Sequence, residues 1–156
     1  MMKVLVVDDS AIVCQGLKAT LEQDNEIKVV GFASNGIEAV NECARNMPDV
    51  VLMDIKMPKI DGIDGVKLIR ERFGSEIKIL MLTTFGNRSF LNEALKVGAN
   101  GYVLKNADTD ELISAIKAVS YGLIIIDKEF AKNQIRSQNV NYIDSTSINK
   151  KKMELT

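Results

Sequence analysis

The 156-residue chain has no histidine, two cysteines and two prolines. Two cysteines without histidine cannot assemble a usual zinc set, and Cys14 and Cys43 lie too far apart for a C-x-x-C motif, so both read as buried helix thiols. No apolar run approaches the roughly 18 residues that a membrane span needs. A strand pattern begins directly after Met1, so the expected location is cytoplasmic, with no membrane partner. The net charge of −1 gives no global pointer to a partner either. Its distribution is uneven: residues 1–127 carry 14 Lys/Arg against 18 Asp/Glu, and residues 128–156 carry 6 against 3. An acidic body precedes a basic tail.

Apolar content of 46% with 26% charged residues is that of a soluble globular chain, long enough for one core and a short appendage. The two prolines, Pro48 and Pro58, bound the most informative stretch. Val50, Val51, Leu52 and Met53 form an unbroken apolar run, as in a strand covered on both faces, and lead straight into Asp54. Val4, Leu5, Val6 and Val7 form a second such run and end in Asp8, Asp9 and Ser10. Residues 27–32, 77–82 and 101–104 read as three more strands, the last two closing on Thr83 and Lys105.

Helical spacing fills the intervals. Val13, Leu17 and Leu21 predict one apolar face, Val40, Cys43, Ala44 and Met47 a second, and Val66, Ile69 and Phe73 a third ended by Gly74. Leu91, Ala94 and Leu95 mark a fourth helix stopped at Gly98. Asp108 with Glu111 is a helix-start signature, and Leu112, Ala115, Ile116 and Val119 carry that fifth helix to Gly122. Five strands alternating with five helices require right-handed crossovers, hence an α/β, flavodoxin-like, doubly wound parallel sheet with helices on both faces and the expected order 2-1-3-4-5. Strands 1 and 3 are then neighbours, and Asp8, Asp9 and Asp54 converge at the switch point, on the edge that also carries Thr83 and Lys105.

Three carboxylates brought together are tolerable at neutral pH only with a cation among them. All-oxygen ligands favour a hard ion, Mg2+ or Mn2+. A lysine opposite and a hydroxyl beside it complete a phosphoryl-transfer layout of carboxylate nucleophile, metal, ammonium and hydrogen-bond donor. Taken singly, the pieces are bland: Asp8 and Asp9 could cap a helix, Lys105 could be surface, Thr83 a strand residue and Tyr102 a core aromatic. A flavodoxin-like electron carrier is disfavoured because Asp8 and Asp9 would repel a flavin phosphate. A haloacid-dehalogenase-like phosphatase would want a carboxylate where Lys56 stands.

The Asp8-Asp9 pair, the run from Leu52 through Asp54 to Lys56, Met57 and Pro58, the Asp61-Gly62 pair, the Thr83-Thr84 pair and the Tyr102 to Lys105 segment together resemble the receiver domain of two-component response regulators. The likeness covers roughly residues 2–125. It implies that Asp54 is the phosphoacceptor for a phosphohistidine on a sensor histidine kinase. It further implies that Asp9, Asp54 and the backbone carbonyl of Lys56 hold Mg2+, with Asp8 reaching it through water. Thr83 and Lys105 would bind the phosphoryl oxygens, and Tyr102 would turn inward as Thr83 moves. Such a domain is not an enzyme but takes part in its own Mg2+-dependent phosphorylation and dephosphorylation.

Gly16-Leu17, Thr83-Thr84-Phe85 and the segment from Gly98 to Tyr102 resemble the LuxR/NarL-type subfamily with a carboxyl-terminal helix-turn-helix domain. The implied organisation is a receiver over residues 1–127 and a linker over 128–156, with a short helix over 130–135. Leu155-Thr156 would open the missing DNA-binding domain, the only part that would touch DNA. A homodimer on phosphorylation is expected, through helices 1 and 5 or through helix 4, strand 5 and helix 5. The other reading is a single-domain or pseudo-receiver acting as a protein-binding module. Ser10 and Asn106 depart from the subfamily's usual histidine and proline, and the bulk of Phe85 predicts a slowly hydrolysed acyl phosphate.

Overall fold

The structure is a computed structural model that describes residues 1–55, 62–84 and 88–126. Lys56, Phe85, the residue 130–135 helix and the whole 128–156 tail lie outside the described residues. Ten elements alternate: β1 (Met2–Val7), α1 (Ala11–Leu21), β2 (Ile27–Ala33), α2 (Gly36–Asn46), β3 (Val50–Asp54), α3 (Gly62–Phe73), β4 (Lys78–Thr83), α4 (Arg88–Lys96), β5 (Tyr102–Leu104) and α5 (Thr109–Ser120). All strands are parallel, as the alternation of elements requires, and their order is the expected β2-β1-β3-β4-β5.

The apolar runs are continuous because each strand feeds two cores. Leu5, Val7, Val51, Met53, Ile79 and Met81 face α2, α3 and α4. Val4, Val6, Val50, Leu52, Leu80 and Leu82 face α1 and α5. Strand side chains alternate sides, so a strand covered on both faces needs apolar residues at every position. Each fully buried Val or Leu is worth about 1.5–3 kcal/mol over an exposed one. β3 is buried throughout, Asp54 included.

Two helical stripes differ from the sequence expectation. In α1 the buried positions are Cys14 and Leu21, with Leu17 packed at the margin, whereas Val13 is 40% exposed. In α2 they are Gly36, Ala39, Val40 and Cys43, and Ala44 is exposed. Met47 is the left-handed cap that stops α2, with φ of 42°. The acidic start of α5 is as expected: the Asp108 carboxylate accepts from the Glu111 N–H at 2.8 Å.

Candidate phosphoacceptor site

Parallel strands all end at one edge, and there the chain has placed its polar groups. β1 runs out at Val7, so Asp8 and Asp9 fall in the turn before α1. Ser10 caps that helix, its hydroxyl accepting from the Val13 N–H at 3.3 Å. The Ser10 N–H donates to Asp8 Oδ1 at 2.9 Å and fixes the carboxylate. Sequence reasoning placed Asp8 at the site but not this orienting bond.

Asp54 closes β3 one strand away. Gly62, the first residue of α3, is pressed against it: a Cβ there would lie 2.5 Å from the Asp54 carbonyl oxygen and 2.8 Å from the Ile55 Cα. Its N–H donates to the Ile55 carbonyl at 3.0 Å, so the absence of a side chain lets α3 begin directly beneath the acidic edge.

Carboxylate oxygens of Asp8, Asp9 and Asp54 lie within 4.8 Å of one another. Asp8 and Asp54 are buried and Asp9 is exposed, so the cluster has a closed side and an open one. Lys105 reaches in from the end of β5, its Nζ 3.1 Å from Asp54 Oδ2 and 3.9 Å from Asp8 Oδ2. The second distance is within ion-pair reach but too long for a hydrogen bond. Asp8 Oδ2 is thereby the one buried side-chain N or O without a hydrogen-bond partner among the described residues.

Burial pushes the Asp8 carboxyl up, helped by the charges of Asp54 and Asp9, while the Ser10 N–H and Lys105 pull it down. An orphaned buried oxygen facing two further carboxylates, with no nitrogen or sulfur donor among the three ligands, fits a hard divalent cation such as Mg2+.

Thr83 ends β4 and is 1% exposed; its hydroxyl donates to the Thr84 carbonyl at 3.1 Å. Its own carbonyl accepts from the Lys105 N–H at 2.8 Å, tying the two strand ends together. Tyr102, 3% exposed, lies in the core on the α2–α4 side of the sheet. The structure therefore brings Asp8, Asp9, Asp54 and Lys105 into one cluster, with Thr83 on the same edge and Tyr102 two positions inside it.

Fold and site define a class: a doubly wound α/β domain with a lysine-countered acidic cluster at its switch point. The chain belongs to the response regulator receiver domain family, whose match covers residues 4–117. It is 38% identical over 135 residues to the transcriptional regulatory protein LnrK of Bacillus subtilis, a match that takes in 86% of this chain and 61% of LnrK. It is 40% identical over 138 residues to the response regulator UvrY of Escherichia coli, covering 88% of this chain and 63% of UvrY. The chain thus spans less than two thirds of the length of these curated relatives. Among solved structures, a LuxR-family two-component response regulator from Aurantimonas superposes with a TM-score of 0.78 at 31% identity, over 87% of this chain and 98% of that one. The isolated receiver domain of RcsB from Salmonella enterica gives a TM-score of 0.73 at 28% identity, over 84% and 96%. Among the described residues no helix is long and apolar enough to cross a membrane.

Proposed function

We propose that the chain is the phosphorylation-controlled half of a transcriptional response regulator, with Asp54 accepting a phosphoryl group from the phosphohistidine of a sensor histidine kinase. The observation that carries this reading is the Asp54 carboxylate at the end of β3, flanked by Asp8 and Asp9 and held by Lys105 at 3.1 Å. A carboxylate oxygen of Asp54 attacks phosphorus, and the phosphorus–nitrogen bond breaks with its electron pair returning to the imidazole. An acyl phosphate on Asp54 results.

Asp8, Asp9 and Asp54 would hold Mg2+, the Lys56 carbonyl joining them. When bound, that ion offsets the carboxylate repulsion and draws negative charge from the phosphoryl oxygens. Lys105 neutralises Asp54 before transfer, and its ammonium follows the charge onto the phosphoryl group afterwards. Thr83 gives up the Thr84 carbonyl to donate to a phosphoryl oxygen, and the inward position, which Tyr102 already holds here, is the one favoured as Thr83 moves. Charge and acceptor oxygens appear at one point, and a two-state loop responds.

Residues 1–127 form the receiver in this reading, and 128–156 lead toward a DNA-binding domain. RcsB, a structural neighbour at 28% identity and TM-score 0.73, has been solved as dimers bound to DNA. A phosphorylation-dependent homodimer is the corresponding expectation here, and the exposed Ile12 and Val13 of α1 are compatible with it.

Incubation with acetyl phosphate and Mg2+, read by intact mass, tests the reading. The native chain should gain one phosphoryl group, and Asp54→Asn or chelated samples none. No gain in the native chain would favour a protein-binding pseudo-receiver instead.

A further inference from the structure

The chain does not leave the domain at the end of α5. The Gly122 N–H donates to Val119 O at 2.9 Å and the Leu123 N–H to Ala118 O at 3.1 Å, a nested pair that closes the helix and reverses the chain. Ile125 then bridges in parallel to Gly101, just before the start of β5. The Tyr102 N–H donates to the Ile125 carbonyl at 2.8 Å, and the Ile125 N–H to the Asn100 carbonyl at 3.0 Å. Gly101, at φ of 150°, makes this approach feasible, because a Cβ there would lie 2.2 Å from Ile125 O. Side chains alternate as in a strand: Ile125 is buried on the α1/α5 side, and Ile126 on the opposite side in the same cluster as Tyr102.

We propose that residues 123–126 are a strap on the free edge of β5 that phosphorylation of Asp54 loosens. The inference rests on the phosphoacceptor reading above. β5 has three residues, each in register with β4, against two backbone bonds on the strap side. Lys105 extends β5, bonded through its N–H to Thr83 and through its Nζ to Asp54. Phosphoryl oxygens that draw in Lys105 and Thr83 move β5 together with β4, and the strap, the weaker side, yields. Tyr102 belongs to both ends of this connection, with its ring in the core and its amide in the strap. Because coupling is reciprocal, a loosened strap also favours the phosphorylated arrangement.

Amide exchange by NMR on the 156-residue chain, with intact mass recorded on the same samples, tests the strap. In phosphorylated protein the Tyr102 and Ile125 amides should exchange at least about tenfold faster, with the amides of β1 and β3 unchanged. Full phosphorylation with exchange at those two amides unchanged or slowed would overturn the strap while leaving the phosphoacceptor reading intact. A chain that takes up no phosphoryl group would overturn both, and the mass separates the two failures. Gly101→Ala should expose the Ile125 amide without phosphate and still accept phosphate; an Ile125 amide that stays protected in that variant would count against the strap.

Discussion

The two edges of the sheet each take charge out of water, wholly at one and partly at the other, and they do so in opposite ways. At the carboxyl edge, Asp8, Asp9 and Asp54 crowd together with a single lysine among the described residues, and one buried oxygen among these lacks a hydrogen bond. At the amino edge, Arg70 of α3 donates to the carbonyls of Gly98, Gly74 and Ile77 and to Asn100 Oδ1. Asn100 Oδ1 also accepts the Ile79 N–H, so the guanidinium ties together α3, β4 and the turn into β5. Burial pushes the Arg70 pKa down, yet its donors have neutral oxygen partners. A satisfied half-buried charge is scaffold, while a buried charge left short of a partner marks a place kept for a ligand.

The sharpest way to break this contrast is at Asp54. Asp54→Asn should abolish phosphoryl uptake, a loss of more than about a hundredfold, while changing the thermal midpoint little; intact mass and calorimetry read the two quantities. Arg70→Met should do the reverse. It leaves several partly buried carbonyls unpaired and should cost about 2–4 kcal/mol in urea unfolding, with phosphoryl uptake retained by the folded fraction.

Cys43, fully buried in α2, shows what burial does to a group with no ligand role. Its thiol is pushed up to about 12, chiefly by burial and further by Glu42. The unfolded thiol ionises near its ordinary value while the native one keeps its proton, so stability should fall as pH rises from about 9 toward 12, by about 1.4 kcal/mol per pH unit. Denaturant titrations of the native chain and Cys43→Ala across that range check it, since the variant should lack this component of the slope.

The smallest expected effect is Asp8→Asn. Without metal, the variant should be more stable by about 1 kcal/mol, because a repelling buried charge becomes a neutral amide. Added Mg2+ should then raise its melting temperature less than that of the native chain. A destabilised metal-free variant would place Asp8 with Arg70 as scaffold.

Much of this was legible in the sequence for physical reasons. Apolar runs alternating with helical stripes permit few topologies, and each run is followed by the polar residue that the edge displays, so Asp8, Asp54, Thr83 and Lys105 could be placed together. The phase of α1 could not be read, because Ile12, Val13 and Cys14 are consecutive apolar residues and fit more than one face. Met47 looked like a core residue, but its left-handed backbone turns it outward. Arg70 reads as surface in a sequence, since its acceptors at Gly98 and Asn100 come from 28 and 30 residues away. Leu123, Ile124, Ile125 and Ile126 form a short apolar run just after a helix-ending glycine, a signal too brief to distinguish an added edge segment from a loop.

Locating the phosphoryl group tests Asp54 as its acceptor most directly. The native chain is treated with acetyl phosphate and Mg2+ and cleaved, and its fragments are sequenced by mass spectrometry. Modification is expected on the peptide bearing Asp54, with the peptide bearing Asp8 and Asp9 unmodified. A phosphoryl group on Asp8 or Asp9, or one whose appearance does not depend on Mg2+, would contradict it.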